Sequence, residues 1–424
     1  MRQFLLILML LLSCRESLLS QGGVAFTASN SSSLNNIFSH HGVLGGSVVA
    51  FDKDGFHSFS YGHTFQDSIP FTDSTFLRIA SISKMFTGMA LLQLVDEGKV
   101  ELDHDINSYL NFKLVNPAYP KVPITIRMLL NHTSTLQDSR EILSMAKRAI
   151  YRDTLNPEKS IPDIRELFTS GNNHFLPRTI KTVKGKIAKV IPGSYFHYTN
   201  LNFAILAHII ERIEQQPFHA VIKKRLLDRY AIPGGFIVQE IPEHGTLSPQ
   251  YLPKGNTWIH EADAYDKPYD SIFTSITDYI PGRNILRFSP QAGLRVSSHG
   301  LATFFRSFLS DSKMSTIKKM MFKLSWKAKN DNNSHQFDNL FKEWGLACHI
   351  INEKKLPFAE DFPWIGHIGR ANGAYTLMYM SPQAQKGIVI FINGKRKQSK
   401  ESIGFEKIEK EIMNIILNQH WRKE

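Results

Sequence analysis

The sequence predicts an α/β fold of the α+β type, in which an antiparallel sheet is flanked by helices and interrupted by a mainly helical subdomain. Three observations support this prediction. Strand-forming stretches flank the turn signal Asp52 to Gly55, which indicates a hairpin over residues 46–61. Apolar residues recur at helical spacing over 82–97, where Asp73 to Thr75 offer capping side chains and Gly98 a stop. Two further strand patterns and a helix pattern close the chain.

The last three elements are predicted at 374–380, 387–393 and about 403–419. The middle of the chain instead has shorter helix patterns, at 125–131, 202–213 and 300–309. It also has one long irregular stretch, at 251–289. We therefore predict a single domain over 22–424. Its α/β body is formed by about 40–112 and 340–424, and its helical and loop subdomain by about 113–339.

The N-terminus has the pattern of a secretory signal peptide, assigned to residues 1–20. Nine apolar residues, Phe4 to Leu12, follow Arg2, and that run is too short to span a bilayer. The stretch from Leu11 to Cys14 is similar to a bacterial lipobox, which makes Cys14 a candidate for lipidation and membrane tethering. The alternative is simple cleavage near Ser20. Either reading predicts export, to the periplasm, to a lipid-anchored position in the cell envelope, or to the medium.

Composition and missing motifs exclude several classes of function. The formal net charge is +12, with a basic run at Arg178 to Lys189, which we interpret as a solvated surface or one attracted to an anionic envelope. Because no zinc-finger, basic-zipper or base-stacking pattern accompanies it, no nucleic-acid partner is expected. The sequence has no P-loop, dinucleotide-binding glycine motif or H-E-x-x-H helix, so neither a metal nor an organic cofactor is expected. Two cysteines, Cys14 and Cys348, cannot form a disulfide framework.

A candidate nucleophile and base stand three residues apart at the start of the first long helix. Ser81 and Lys84 share a helix face, and a serine hydroxyl becomes a good nucleophile when a nearby base removes its proton. Lysine can act as that base when burial destabilises its ammonium form. The spacing alone is weak evidence, because Ser–x–x–Lys also occurs on predicted surface helices, at 144–147, 310–313 and 315–318.

Longer stretches make the pattern specific. They resemble the class C β-lactamase and low-molecular-weight penicillin-binding-protein superfamily, in family order, in the segments Phe76 to Leu110, Ile126 to Leu136, Pro192 to Ile213, Ser289 to Leu309 and Gly366 to Tyr375. The resemblance implies a β-lactamase/transpeptidase-like fold. It also implies an acyl-enzyme on Ser81, with Lys84 as its partner and Tyr198 as a proton relay. Asn200 would hydrogen-bond the substrate amide.

The resemblance also assigns substrate-binding residues and an oxyanion hole. His367 and Gly369 would bind substrate, with the glycine allowing close approach of the substrate backbone, and the backbone N–H groups of Ser81 and Arg370 would form the oxyanion hole. His367 departs from the lysine of β-lactamases, and a neutral histidine binds a carboxylate less strongly. Arg370 or a neighbouring cation could supply the missing charge. We interpret His132 as structural.

The sequence thus favours an exported serine hydrolase that acts on a peptide, amide or ester. D,D-peptidase or amidase activity ranks first, carboxylesterase second and β-lactamase third. The alternative from another class is a non-catalytic envelope-binding protein on the same fold, which the presence of every motif residue disfavours.

Overall fold

A computed structural model describes residues 23–421, apart from 66–68, 140–162, 170–173, 182–184, 244, 264–278, 284, 330–332, 336–339, 353–361 and 397–403. The predicted signal peptide and Cys14 lie outside the described residues, as does the Ser144–Lys147 pair. Among the residues described, no helix is long and apolar enough to cross a membrane.

In the part of the chain that the structure describes, a ten-stranded sheet organises the fold. Its strands are β1 (Val24–Ala25), β2 (Gly45–Phe51), β3 (Phe56–Phe65), β4 (Ile69–Pro70), β12 (Trp326–Lys327), β14 (Glu343–Trp344), β15 (His349–Ile351), β16 (Trp364–Ala371), β17 (Ala374–Ser381) and β18 (Lys386–Ile392). Their spatial order is β1-β3-β2-β18-β17-β16-β15-β14-β12, with β4 paired to β3. Neighbouring strands are antiparallel except β1 and β3.

The other strands among the described residues pair into four two-stranded ribbons. The pairs are β5 (Phe76–Arg78) with β11 (Arg295–Ser297), β6 (Thr179–Lys181) with β7 (Ile187–Lys189), β8 (Phe196–His197) with β13 (Ser334–His335), and β9 (Gln250–Lys254) with β10 (Thr257–Ala262). The helices are α1 (Ala28–His40), α2 (Ser83–Asp96), α3 (Ile126–Leu130), α4 (Ile164–Thr169), α5 (Leu201–Glu214), α6 (Phe218–Ile222), α7 (Ser298–Ser310), α8 (Ser315–Phe322) and α9 (Lys407–Ile415).

Both faces of the sheet are covered by helices, because apolar side chains occupy both faces of its central strands. Val48 packs in a cluster that includes residues of α1 and α9, while its neighbour Val49 packs in a second cluster with α2, α5 and α7. Alternating side chains of a strand point to opposite faces, so a continuous apolar run indicates a strand buried on both sides. The predicted sheet flanked by helices is confirmed. The division of the chain at residues 113 and 339 stays a prediction.

The predicted hairpin turn is present, but two other local predictions differ from the structure: the stretch predicted as irregular over 251–289 begins with the β9–β10 ribbon, and the start of α2 has no cap. The side chain of Asp52 accepts hydrogen bonds from the backbone of Asp54 and Gly55, which closes the predicted hairpin turn. The predicted cap from Asp73 to Thr75 is wrong, because strand β5 and a 3₁₀ turn, Ala80–Ile82, come between these residues and α2. Helix α2 therefore begins with no side-chain cap, and its first turn continues from the 3₁₀ turn.

Candidate active site

Ser81 lies in the middle of the 3₁₀ turn that joins β5 to α2. The preceding residue, Ala80, has a φ of 48°, in the left-handed region that non-glycine residues seldom adopt. Two hydrogen bonds from Ile79 hold the turn: its N–H donates to the carbonyl of Leu294 (2.9 Å), and its carbonyl accepts from the hydroxyl of Thr376 (2.9 Å). The half-buried nucleophile candidate is thus fixed between β11 and the sheet.

Gly369 has no side chain, and this leaves the space that the turn carrying Ser81 occupies. A Cβ at that position would come within 2.1 Å of the Thr376 hydroxyl and 2.4 Å of the Ile79 carbonyl. The sequence suggested that the glycine admits substrate backbone; the structure shows protein backbone of the nucleophile turn in that space. Any larger residue would displace the turn that carries Ser81.

Lys84 is completely buried, and its Nζ lies 3.0 Å from the Oγ of Ser81. The same nitrogen contacts the side-chain oxygen of Asn200 (2.8 Å) and the carbonyl of Gln291 (3.0 Å). Burial lowers the pKa of Lys84 from 10.5 to about 7, although the nearby charge of Asp138 raises it. Near neutral pH the amine is therefore present in both forms, beside a hydroxyl that it can deprotonate.

Tyr198 packs against this amine. Lys84 Nζ lies 4.9 Å from the centre of the tyrosine ring, and the Tyr198 hydroxyl is 3.4 Å from Nε2 of His367. Burial raises the pKa of Tyr198 above its usual value, and a hydrogen bond with Ser81 only partly offsets that rise. Tyr198 is therefore the neutral phenol at neutral pH.

Asp138 orients Asn200, and the sequence did not single it out. Its carboxylate accepts hydrogen bonds from the Asn200 amide nitrogen (2.8 Å), the Asn200 backbone N–H (3.0 Å) and the Leu201 backbone N–H (3.0 Å). A fourth donor is the hydroxyl of Thr199. The carboxylate therefore caps α5 and turns the Asn200 side-chain oxygen towards Lys84.

His367 is completely buried at the position where the resemblance expects a lysine. Its Nδ1 donates to the Ile368 carbonyl, which leaves Nε2 to accept from the Tyr198 hydroxyl. Burial, and then the charge of Lys84, lowers the pKa of His367 well below its usual value. The imidazole is therefore neutral and offers no positive charge to a substrate carboxylate.

The Arg370 side chain does not supply that charge either. It lies three residues after His367 on β16, so the two side chains point to opposite faces of the sheet. Its guanidinium donates to the carboxylate of Glu409 (3.0 Å) and to the Gly404 carbonyl (2.7 Å), next to α9. The suggestion that Arg370 replaces the missing lysine is wrong for this reason. The oxyanion hole from the backbone N–H groups of Ser81 and Arg370 stays a prediction. Strand β15 pairs with β16 only over Trp364–Gly366, so β15 does not pair with Arg370.

His132, which we interpreted as structural, lies two residues after the end of α3. It is fully buried, with a φ of 58°, and its Nδ1 accepts from the Thr199 backbone N–H (3.2 Å) and the Asn202 amide (3.3 Å). Its ring centre is 4.4 Å from that of Tyr198. These contacts support the structural interpretation: His132 holds the segment that presents Tyr198 and Asn200.

A buried ion triad lies behind the nucleophile strand. Asp263 accepts from Arg78 on β5 (2.7 and 2.9 Å) and from Arg295 on β11 (2.8 and 3.2 Å), and all three side chains are almost completely buried. Although burial opposes its ionisation, the two arginines lower the pKa of Asp263. The triad connects β5, which precedes Ser81, to β11, which follows the loop that contains Gln291.

Within the described ranges, no group of three or more His, Cys, Asp or Glu residues is placed to hold a metal ion.

Comparisons with known proteins agree with this arrangement. A family model described as Beta-lactamase matches residues 25–409. Protein flp of Staphylococcus aureus is 26% identical over 180 residues, 42% of this chain and 32% of the relative. The D-alanyl-D-alanine-carboxypeptidase/endopeptidase AmpH of Escherichia coli is 28% identical over 194 residues, 45% of each chain. The chain thus spans a third to just under half of the length of these curated relatives.

Two solved structures show the same fold at low sequence identity. The octameric penicillin-binding protein homologue from Pyrococcus abyssi is 20% identical, with a TM-score of 0.64 over 92% of this chain and 76% of the other. D-amino acid amidase from Ochrobactrum anthropi, complexed with L-phenylalanine amide, is 14% identical, with a TM-score of 0.65 over 93% of this chain and 100% of the other. These likenesses establish the architecture, and they confirm the fold class expected from the sequence.

Proposed function

The chain belongs to the beta-lactamase family, and we propose that it cleaves an amide or ester through an acyl-enzyme on Ser81. One observation carries this proposal: Lys84 is completely buried 3.0 Å from the Ser81 hydroxyl, and its pKa is lowered to about 7. A surface lysine would stay protonated at neutral pH and could not act as a base. The buried amine can accept the serine proton as the hydroxyl attacks the substrate carbonyl.

The proposed chemistry proceeds in two proton-balanced halves. Neutral Lys84 takes the Ser81 proton while Oγ forms a bond to the carbonyl carbon, whose oxygen becomes negative. As the carbonyl re-forms and the bond to the leaving nitrogen or oxygen breaks, the Tyr198 phenol, positioned near both side chains, passes a proton to that atom and recovers one from the Lys84 ammonium. In the second half, water gives a proton to Lys84 as its oxygen bonds to the acyl carbon. The bond from that carbon to Ser81 Oγ then breaks, Oγ takes the proton back, and the acid product leaves.

The polarity of the site favours a substrate that needs no carboxylate anchor. His367 is neutral, and the Arg370 guanidinium is paired with Glu409 on the other face of the sheet. We therefore rank amidase-type substrates above D,D-carboxypeptidase substrates, whose terminal carboxylate has to be matched by a cation. D-amino acid amidase among the structural neighbours and AmpH among the relatives both fit amide chemistry. Carboxylesterase activity is the second candidate, because an ester carbonyl is more reactive than an amide carbonyl and an alcohol leaves more readily than an amine, so the same groups suffice.

The test is acylation of Ser81. The protein would be incubated with a fluorescent penicillin, a nitrophenyl ester and a D-amino acid amide, and followed by intact-mass spectrometry and turnover. Ser81→Ala should abolish both adduct and turnover. The matched control is Ser310→Ala, at an exposed serine of another Ser–x–x–Lys pattern, which should leave both unchanged. A folded wild type with neither adduct nor turnover would contradict the hydrolase and favour the non-catalytic binding protein.

We also propose export, from the apolar run Phe4 to Leu12. The measurement is the mass of the mature N-terminus from an expressing bacterium. A lipid adduct on Cys14 that Cys14→Ser removes would support the lipoprotein, and a cut near Ser20 would support simple secretion. An intact Met1 terminus inside the cell contradicts both.

A further inference from the structure

The segment between α4 and the end of α5 is unusually basic. No Asp or Glu occurs from Leu167 to Ile210, while five cationic residues do, namely Arg178, Lys181, Lys184, Lys186 and Lys189. Strands β6 and β7 carry two of these cations, Lys181 and Lys189, and the other three are close to them in sequence. We call the described part of this ribbon, residues 178–181 and 185–191, the basic hairpin.

The two faces of the basic hairpin differ sharply. The antiparallel register pairs Ile180 with Ala188, and these side chains face inward, in a cluster with Leu176, Val190 and Tyr195. The flanking pairs, Thr179 with Lys189 and Lys181 with Ile187, point outward, and all four residues are exposed. Ile187 is 74% exposed and Ile191 43%, which places aliphatic side chains among the lysines.

The hairpin is anchored to the body of the protein, so its outer face is held in a fixed orientation. The Val190 N–H donates to the Arg178 carbonyl (2.8 Å). The Arg178 guanidinium donates two hydrogen bonds to the Ala118 carbonyl (2.7 and 3.2 Å) and lies 5.5 Å from the ring centre of Tyr119. Because that guanidinium is bound to the body of the protein, the exposed cations that the two strands present on the outer face are Lys181 and Lys189.

We propose that the outer face of the basic hairpin docks the protein on an anionic phospholipid surface. Lys181 and Lys189 would pair with head-group phosphates, while Ile187 and Ile191 would enter the interface between head groups and acyl chains. Single-stranded nucleic acid, the competing polyanion, is bound mainly by stacking on aromatic rings, and the four outward residues of the two strands include none. Exposed isoleucines instead suit a lipid surface, where apolar burial adds to charge attraction.

The test is sedimentation of the full-length protein with large vesicles of phosphatidylglycerol and phosphatidylcholine in equal parts, and with pure phosphatidylcholine. Removing one basic residue near an anionic surface weakens binding about fivefold. The double variant Lys181→Gln/Lys189→Gln should therefore bind the anionic vesicles about 25-fold less tightly at 50 mM salt. The matched control, Lys53→Gln/Lys319→Gln, removes the same charge from two exposed lysines elsewhere and should lose less than threefold.

Two further arms separate charge from apolar insertion. Ile187→Ser keeps every charge and should still weaken binding to the anionic vesicles severalfold. Raising the salt to 500 mM should release the wild type, because surface charges are screened beyond about 3 to 5 Å at high ionic strength. Equal losses in the two lysine pairs, or wild-type binding to the neutral vesicles as strong as to the anionic ones, overturns the proposal. Tighter binding to a single-stranded oligonucleotide than to anionic vesicles overturns it in favour of nucleic acid.

Discussion

Replacement of Lys84 by methionine should make the stability of the protein respond differently to pH. Burial lowers the pKa of Lys84 from 10.5 to about 7. At 1.36 kcal/mol per pH unit, that difference corresponds to about 5 kcal/mol, the cost of burying the ammonium form. Between about pH 7 and 10.5 the unfolded chain holds a proton that the folded chain has released, so the free energy of unfolding of the wild type rises with pH across that window.

Lys84→Met removes this titration. The difference in unfolding free energy, wild type minus variant, should therefore grow by about 2 to 3 kcal/mol between pH 6 and pH 9. Hydrogen bonds lost with the amine cancel in this comparison, because they are missing from the variant at both pH values.

The assay is urea unfolding of both proteins at pH 6 and pH 9, followed by tryptophan fluorescence. Lys319→Met, at an exposed lysine of α8, serves as the control and should show no such growth. A difference that stays constant within 0.5 kcal/mol would mean that Lys84 keeps an ordinary pKa, and the proposed base would lose its physical support.

Four other measurements test the rest of the site. The acylation rate of the wild type should rise with pH along a single limb with its midpoint near 7, set by Lys84; a flat profile from pH 5 to 9 contradicts that assignment. Tyr198→Phe should lower kcat by about 100-fold or more without changing the melting temperature, and an unchanged kcat removes Tyr198 from the proton path. Asp138→Asn should move the limb to lower pH, because the Asp138 charge raises the pKa of Lys84; a shift to higher pH refutes this coupling. Asp263→Ala leaves two buried arginines unpaired and should lower the free energy of unfolding by about 3 to 5 kcal/mol, measured with urea, whereas a loss under 1 kcal/mol would show that the triad stabilises little.

The sequence predicted what depends on local spacing. The three-residue spacing of Ser81 and Lys84 brings their side chains together although Ser81 lies in the 3₁₀ turn before α2, and the Asp52 side chain closes the turn that ends at Gly55. The role of Asp138 was not predictable in this way, because its partners lie more than 60 residues later and are reached only through the fold. Strand β5 was missed because three residues are too few to show a period.

Arg370 was misjudged because the strand that carries it, β16, was not predicted from the sequence. His367 and Arg370 lie three positions apart on that strand, and an odd offset places two side chains on opposite faces. The backbone N–H of Arg370 is not bound by that rule, which is why its predicted place in the oxyanion hole is independent of where the guanidinium lies. Side-chain parity should therefore be checked before a charge on a strand is assigned to a site.

The site contains several titratable groups but leaves one to change charge near neutral pH. Tyr198 is held as the phenol because burial raises its pKa, and His367 is held neutral because burial lowers its pKa. The Asp138 carboxylate accepts four hydrogen bonds, which orient Asn200 towards Lys84. Of Lys84, Tyr198 and His367, Lys84 is the one that can take the serine proton and return it at little cost. The same burial that keeps Tyr198 and His367 uncharged brings the pKa of Lys84 into the working range of a base, although the charge of Asp138 raises that pKa.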